Sequence, residues 1–132
     1  MNHVVKALKE HSPFFVATVE GDTPRVRPFS SVTEFEGNLY LCCNNQKEVY
    51  KQLKANPKLE ICGVSKSGSW LRVSGVAVED DRREAREAML KDPTGPSMLY
   101  TADDGLFVVF RIEQVQAVRS SFTAPPEVIS EH

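Results

Sequence analysis

Histidine is scarce in this 132-residue chain, and the three present, His3, His11 and His132, all lie near the ends. None stands beside an Asp/Cys or Glu/Cys grouping, so neither a metal site nor a catalytic triad is expected. Cysteine is scarce too. Cys42 and Cys43 are adjacent and Cys62 stands alone, a spacing that fits neither a disulfide framework nor a zinc knuckle. All three read as strand residues in a reducing compartment, with Cys43, one residue from a polar turn, kept as a candidate functional thiol. There is no excess of positive charge. Lys and Arg total 16 against 18 Asp and Glu, a net charge of -2, which argues against a general nucleic-acid binder. No stretch reaches the length of a membrane span, and MNHVVKALKEHSPFF lacks the apolar run of a signal peptide. A cytoplasmic location is therefore the expectation. Absence of GxGxxG, Walker and GxSxG patterns removes the common nucleotide folds and the serine hydrolases with a nucleophile elbow.

What is present fits one domain large enough to bury a core without disulfides or a structural metal. Val4, Val5 and Leu8 mark a short lid helix over residues 2–10, ended by Ser12-Pro13. FFVATVE then reads as a buried strand, RVRPFSSVTEF as its return and LYLCC as a third strand, together a three-stranded meander. Pro28 inside the second strand implies an edge or an interrupted ladder. LEICGV and SWLRVSGVAVE form a hairpin across Lys66-Ser67-Gly68, with Leu71 and Val73 facing the core and Trp70 and Arg72 facing out. A charged helix over Asp80–Lys91 and a long loop, PTGPSMLYTADDG, precede LFVVFRIEQVQAVRS, which reads as a central strand buried on both sides. Asp80-Asp81 and Asp103-Asp104 look like acids of solvated turns. The tail from Phe122 to His132 is expected to be loosely ordered. Counting gives about six antiparallel strands with small helices at the edges: a mainly β barrel or roll.

The stretch Leu39 to Pro57 concentrates the chemistry. A strand passes through Asn44-Asn45-Gln46-Lys47 into a helix whose apolar face is Val49, Tyr50 and Leu53. Asn45 as N-cap with Glu48 three residues on spells a capping box, placing the helix start near Gln46. Free first-turn N–H groups and the Lys47 charge make that start a natural seat for a phosphate, while the same residues also read simply as a capped surface helix. Arg25 and Arg27 alternate along one strand face, and Pro28 exposes backbone beside them. The pair reads either as an edge charged against aggregation or as a wall for a planar anionic cofactor.

Three marks in order, GDTPRVRPFS, NLYLCCNNQKEVYKQLKANP with LEICGV, and SWLRVSGVAVED, resemble the FMN-binding split-barrel family related to pyridoxamine 5'-phosphate oxidase. The likeness is to its short single-domain members, those grouped with nitroimidazole-resistance proteins, and runs from about Val5 to Ser120. It implies a six-stranded antiparallel split β-barrel over residues 1–121 with a C-terminal tail over 122–132, and a homodimer holding FMN at the interface. Carried over, Arg27 is the flavin-contacting arginine, Pro28, Phe29 and Ser30 run along the ring, Asn44, Asn45, Gln46 and Lys47 form the phosphate turn, and Trp70 is a further flavin contact. Full-length pyridoxamine phosphate oxidases carry an Arg-Lys pair and a C-terminal substrate segment; this chain has Gln46-Lys47 and a short tail. Oxidation of pyridoxamine phosphate itself is therefore not expected. Relatives also bind a deazaflavin or haem, but the few histidines disfavour a histidine-ligated haem, and no added basic surface serves a polyanionic deazaflavin tail.

The expected function is a cytoplasmic FMN-dependent oxidoreductase acting on a small molecule with an electron donor such as reduced nicotinamide, without nucleic acid or membrane as partner. No catalytic side chain is assigned, because the flavin carries the redox chemistry. The alternative is a flavin-binding module that senses redox state or stress without turnover. A weaker reading is a small barrel that stacks single-stranded nucleic acid.

Overall fold

A computed structural model describes residues 1–132. In chain order the elements are α1 (His3–Glu10), β1 (Phe14–Glu20), β2 (Thr23–Phe29), β3 (Thr33–Phe35), β4 (Asn38–Asn44), α2 (Glu48–Ala55), β5 (Lys58–Val64), β6 (Trp70–Asp80), α3 (Arg83–Lys91), β7 (Phe107–Ser120) and β8 (Glu127–Ile129). Every pairing is antiparallel. The strands follow the order β2-β1-β5-β6-β7-β4-β3, with β8 added to β7.

That order forces closure. Laid flat, β2 and β3 would stand about 28 Å apart at the usual strand spacing. The chain joins Phe29 to Thr33 through Ser30–Val32 alone, a span of at most about 14 Å. The sheet therefore curls until its two edges meet at this link, giving a barrel that is split between β2 and β3.

The expected return strand RVRPFSSVTEF thus serves both edges: its first half pairs with β1 and its last residues with β4. Pro24 and Pro28 lie on β2, which has a strand neighbour on one side only, where a missing N–H costs no ladder bond. Two expectations are corrected here. The simple meander does not form, because β4 pairs with β3 and β7 rather than with the β2 half. The strands number eight rather than six, because the return strand divides in two and the tail supplies β8. The tail is not loose. Val128 pairs with Val118, the His3 N–H donates to the Glu131 carbonyl at 2.7 Å, and Asn2 Nδ2 donates to Glu131 Oε2 at 2.8 Å.

Inside the barrel, Val16, Leu39, Leu41, Ile61, Leu71, Val73, Phe110 and Ile112 form one core with Val49 and Leu53 of α2. Leu71 and Val73 face inward as their alternation predicts. Helix α1 closes one end with Val4, Val5, Ala7 and Leu8, and Asn2 caps it by accepting from the Val4 and Val5 N–H groups at 3.0 and 3.1 Å. Outside, α3 lays Ala85 and Met89 over Tyr40, Cys42, Phe107 and Val109. The first half of β7 is buried on both faces, as its unbroken apolar run predicts.

Of the two acids before the charged helix, Asp81 is exposed as expected and Asp80 is not. Asp80 is the last residue of β6, only 7 % exposed, and accepts from Tyr40 Oη at 2.7 Å and from Arg82 Nη2 at 2.9 Å. Arg82 also reaches Glu36 at 2.7 Å and lies over the Phe35 ring. A carboxylate so supplied with donors tolerates burial, and Arg82 holds it far below the usual carboxylate range. Asp104 ties its loop by accepting from the Thr101, Leu106 and Phe107 N–H groups. No helix is long and apolar enough to cross a membrane.

Candidate functional site

A cleft of about 220 Å³ opens where the split leaves the barrel unsealed. One wall is the end of β2 and its exit, Arg27 to Ser31. The other is the end of β4, Cys42 to Asn44. Lys47 and Val49 of the α2 start form the floor, and Pro96, Tyr100 and Phe107 close the side. The cleft gathers Arg27, Pro28, Phe29, Ser30, Asn44 and Lys47 of the sequence-derived candidates. A larger open groove of about 550 Å³ runs along β1, β5, β6 and β7 and holds none of them.

The turn 44–47 is built differently from the expected capping box. Asn44 Oδ1 accepts from the Gln46 N–H at 2.8 Å, forming an Asx turn, and the Lys47 N–H donates to the Asn44 carbonyl at 3.0 Å. Asn45 turns away: its N–H donates to the Leu106 carbonyl and its Nδ2 to the Gly105 carbonyl, each at 2.9 Å, while its Oδ1 takes Gln46 Nε2. The helix consequently begins at Glu48, with Lys47 at the N-cap in an extended conformation and no side chain capping it. Asn45 and Gln46 shape the turn rather than line the cleft. The first N–H groups of α2 are left without a side-chain partner, as the anion reading requires.

Arg27 is held inward. Nη1 donates to Thr18 Oγ1 at 2.7 Å and to the Val16 carbonyl at 3.2 Å, and Nη2 donates to Gln52 Oε1 at 2.6 Å. Burial, aided by the neighbouring Arg25 charge, pulls its pKa down from the usual value. Lys47 makes no ion pair and no side-chain hydrogen bond, and the Ser30 hydroxyl has no partner in the chain. Burial pushes both the Cys42 and the Cys43 thiols up to about 12, so the cleft presents neutral sulfur and no thiolate at neutral pH. No acidic side chain lines it. Tyr50 Oη donates to Glu79 at 2.8 Å, and Lys54 meets the same carboxylate at 3.1 Å, seating α2 on the barrel.

Trp70 is not in this cleft. It lies half-buried on the outer face, its ring 5.0 Å from that of Phe122. Along the same face Phe15, Val26 and Val64 are exposed at 49, 67 and 62 %. Tyr100, Phe107, Pro96, Val49, Ser31 and Cys42 are cleft residues that spacing arguments missed. Only the length of the loop PTGPSMLYTADDG signalled any of them. No grouping of His, Cys, Asp and Glu side chains forms a metal centre.

The family model described as "Pyridoxamine 5'-phosphate oxidase" matches residues 1–119. The chain belongs to the pyridoxamine 5'-phosphate oxidase family. A crystal structure of a NimC/NimA family protein from Clostridium acetobutylicum is 42 % identical, with a TM-score of 0.93, over 97 % of this chain and 90 % of that one. A pyridoxamine 5'-phosphate oxidase-related, FMN-binding protein from Nostoc punctiforme PCC 73102 shares the fold at a TM-score of 0.68 and 17 % identity, over 97 % of this chain and 92 % of that one. A heme binding protein from Mycobacterium smegmatis does so at 0.75 and 16 % identity, over 96 % of this chain and 56 % of that one. No curated protein matches the sequence. The split-barrel fold of this pyridoxamine 5'-phosphate oxidase-family chain is thus shared with proteins named for different cofactors, and the cleft's own donors must choose among them.

Proposed function

We propose that the chain is a homodimeric FMN-binding oxidoreductase acting on a small molecule. The observation that carries this reading is a cleft with an unpaired ammonium on Lys47, uncapped N–H groups at the start of α2, a cationic Arg27 behind it and no acid in its lining. That set suits a phosphate monoester joined to a flat ring running between Pro28, Phe29 and Ser30. Bound there, FMN supplies hydride or electron transfer. Lys47 would hold the phosphate, and Ser30 would offer its free hydroxyl to a polar edge of the ring. Arg27, anchored to Thr18 and Gln52, would set the positive potential behind it.

A cleft of about 220 Å³ is smaller than the roughly 300–1,000 Å³ that usually encloses such a ligand. A second copy supplies the missing cover in this reading, laying the outer face that carries Trp70 and Phe15 across it. Burial pushes both lining thiols up to about 12, so neither acts as a thiolate near neutral pH, and the reading leaves the redox chemistry to the flavin.

The test is an absorption spectrum of the purified protein before and after FMN is added and excess removed, followed by turnover with reduced nicotinamide and a quinone or nitroaromatic acceptor. Oxidised-flavin bands with turnover support the reading. A Soret band in place of flavin would overturn it, and flavin that binds without ever cycling would favour the sensing module.

A further inference from the structure

Tyr100 reaches the cleft from a loop that is pinned at both ends. Thr94 Oγ1 donates to the Val32 carbonyl and accepts from the Val32 N–H, both at 3.0 Å, and Ser31 Oγ donates to the Thr94 carbonyl at 2.6 Å. At the far end Asp104 gathers three N–H groups, and Arg86 Nε donates to the Ala102 carbonyl at 2.7 Å. Between these anchors the turn at Pro96 accepts from the Leu99 and Tyr100 N–H groups. The Tyr100 ring stacks on Phe107, centroids 5.3 Å apart and planes inclined by 28°. Its position is set by the fold and needs no ligand.

The hydroxyl has one protein partner, and donor logic decides its direction. Asn44 Oδ1 is already taken by the Gln46 N–H, so the amide presents Nδ2, a donor, to Tyr100 Oη at 3.2 Å. The phenol oxygen must accept, and its own proton stays uncommitted at the rim of the cleft. Beside it Pro96 and the stacked Tyr100 and Phe107 rings line the cleft, an apolar wall next to a free O–H donor.

We propose that Tyr100 contacts the second, small-molecule ligand of the cleft, the one that stands beside the flavin, and selects for an oxygen acceptor on a flat apolar body. The inference rests on the FMN reading of the same cleft. A ligand with a carbonyl-type oxygen receives the phenol proton, while an equally shaped hydrocarbon leaves it unpaired, which is the stronger source of discrimination.

The test uses Tyr100→Phe, which keeps the ring on Phe107, and first measures FMN affinity of both proteins by flavin fluorescence. Acetophenone and its near-isostere α-methylstyrene are then titrated into the flavin-loaded proteins and followed by the shift of the flavin spectrum, a readout that needs no turnover. The wild type is expected to prefer acetophenone, and Tyr100→Phe to lose about tenfold of that preference with FMN affinity changed less than about twofold. An unchanged preference, or no acetophenone binding to a wild type that does hold FMN, overturns the role of Tyr100 and leaves the FMN reading standing. A large loss of FMN affinity in the variant overturns it too, by making Tyr100 a cofactor contact. Failure of both proteins to bind FMN overturns the FMN reading and this inference with it.

Discussion

Gln52 Oε1 stands 2.6 Å from Arg27 Nη2 and, at the same distance, accepts from Thr18 Oγ1. One carboxamide on α2 therefore ties the edge strand β2 to its neighbour β1 beneath the cleft. Gln52 is 5 % exposed. Replacing it with Leu leaves a guanidinium donor and a buried hydroxyl without their acceptor, at a cost of about 1–3 kcal/mol. Arg27→Lys should lose a similar amount, because an ammonium on a flexible stem cannot reproduce the planar fork. Urea unfolding of both variants reads the cost. A Gln52→Leu midpoint equal to wild type would mean that the edge strand is held by its ladder alone.

Asp80 gives the fold an acid limb. Its carboxyl sits well below the ordinary carboxylate range because Arg82 and Tyr40 donate to it. The unfolded residue titrates near 3.9, so its stabilisation is complete above about pH 5 and fades as the pH falls towards the folded value. Asp80→Asn keeps the shape but loses the charge-assisted bonds, a deficit of about 2 kcal/mol at pH 7. That deficit should narrow below pH 4, where the unfolded wild type takes up a proton. Denaturant titrations at pH 7 and pH 3 compare the two; a gap that stays constant assigns the stabilisation to something other than the carboxylate charge.

The thiols separate by environment. Cys42 and Cys43, both pushed up to about 12 by burial, carry roughly one thiolate in ten thousand at pH 8. Cys62 lies half-exposed on the outer face, across from Phe15. Brief iodoacetamide treatment of the native chain, read by peptide mass spectrometry, should label Cys62 well ahead of the other two, and all three alike in urea. Prompt labelling of Cys43 would contradict its burial and revive it as a functional thiol.

The barrel was legible where a residue answers to its own strand. Pro28 marks an edge because proline lacks a donor, Leu71 and Val73 mark the core by alternation, and the run at Phe107 marks a doubly covered strand. It was not legible where the partner lies far along the chain. Asn45 has the composition of an N-cap, but Leu106 and Gly105, some 60 residues on, claim its hydrogen bonds. The tail looked unstructured because β8 is only three residues long, though it pairs back on the nearby β7, and because its last residues are held by Asn2 at the other end of the chain. The cleft followed the same rule. Contiguous motifs supplied Arg27–Ser30 and Asn44–Lys47, while Tyr100 entered through a loop whose anchors no local pattern reveals. Trp70 belongs to the outer face and lies outside the cleft.

Lys47 should matter to anion binding out of proportion to its charge. It stands at the N-cap of α2, and its ammonium makes no ion pair or hydrogen bond within the chain, so it is free for a guest. Lys91, at the end of α3, is an exposed lysine of the same charge, 80 % exposed and only 3.9 Å-paired to Glu87. Both Lys→Ala changes lower the net charge equally, so any long-range effect cancels in the comparison. A direct phosphate contact adds about 1.5–3 kcal/mol, or roughly 10- to 150-fold in the FMN dissociation constant. Lys47→Ala should lose that much, retain weak binding through the backbone donors of α2, and show a flatter salt dependence. Lys91→Ala should bind within about twofold of wild type, as screened surface charges do. Equal losses in the two variants would remove the phosphate from the start of α2.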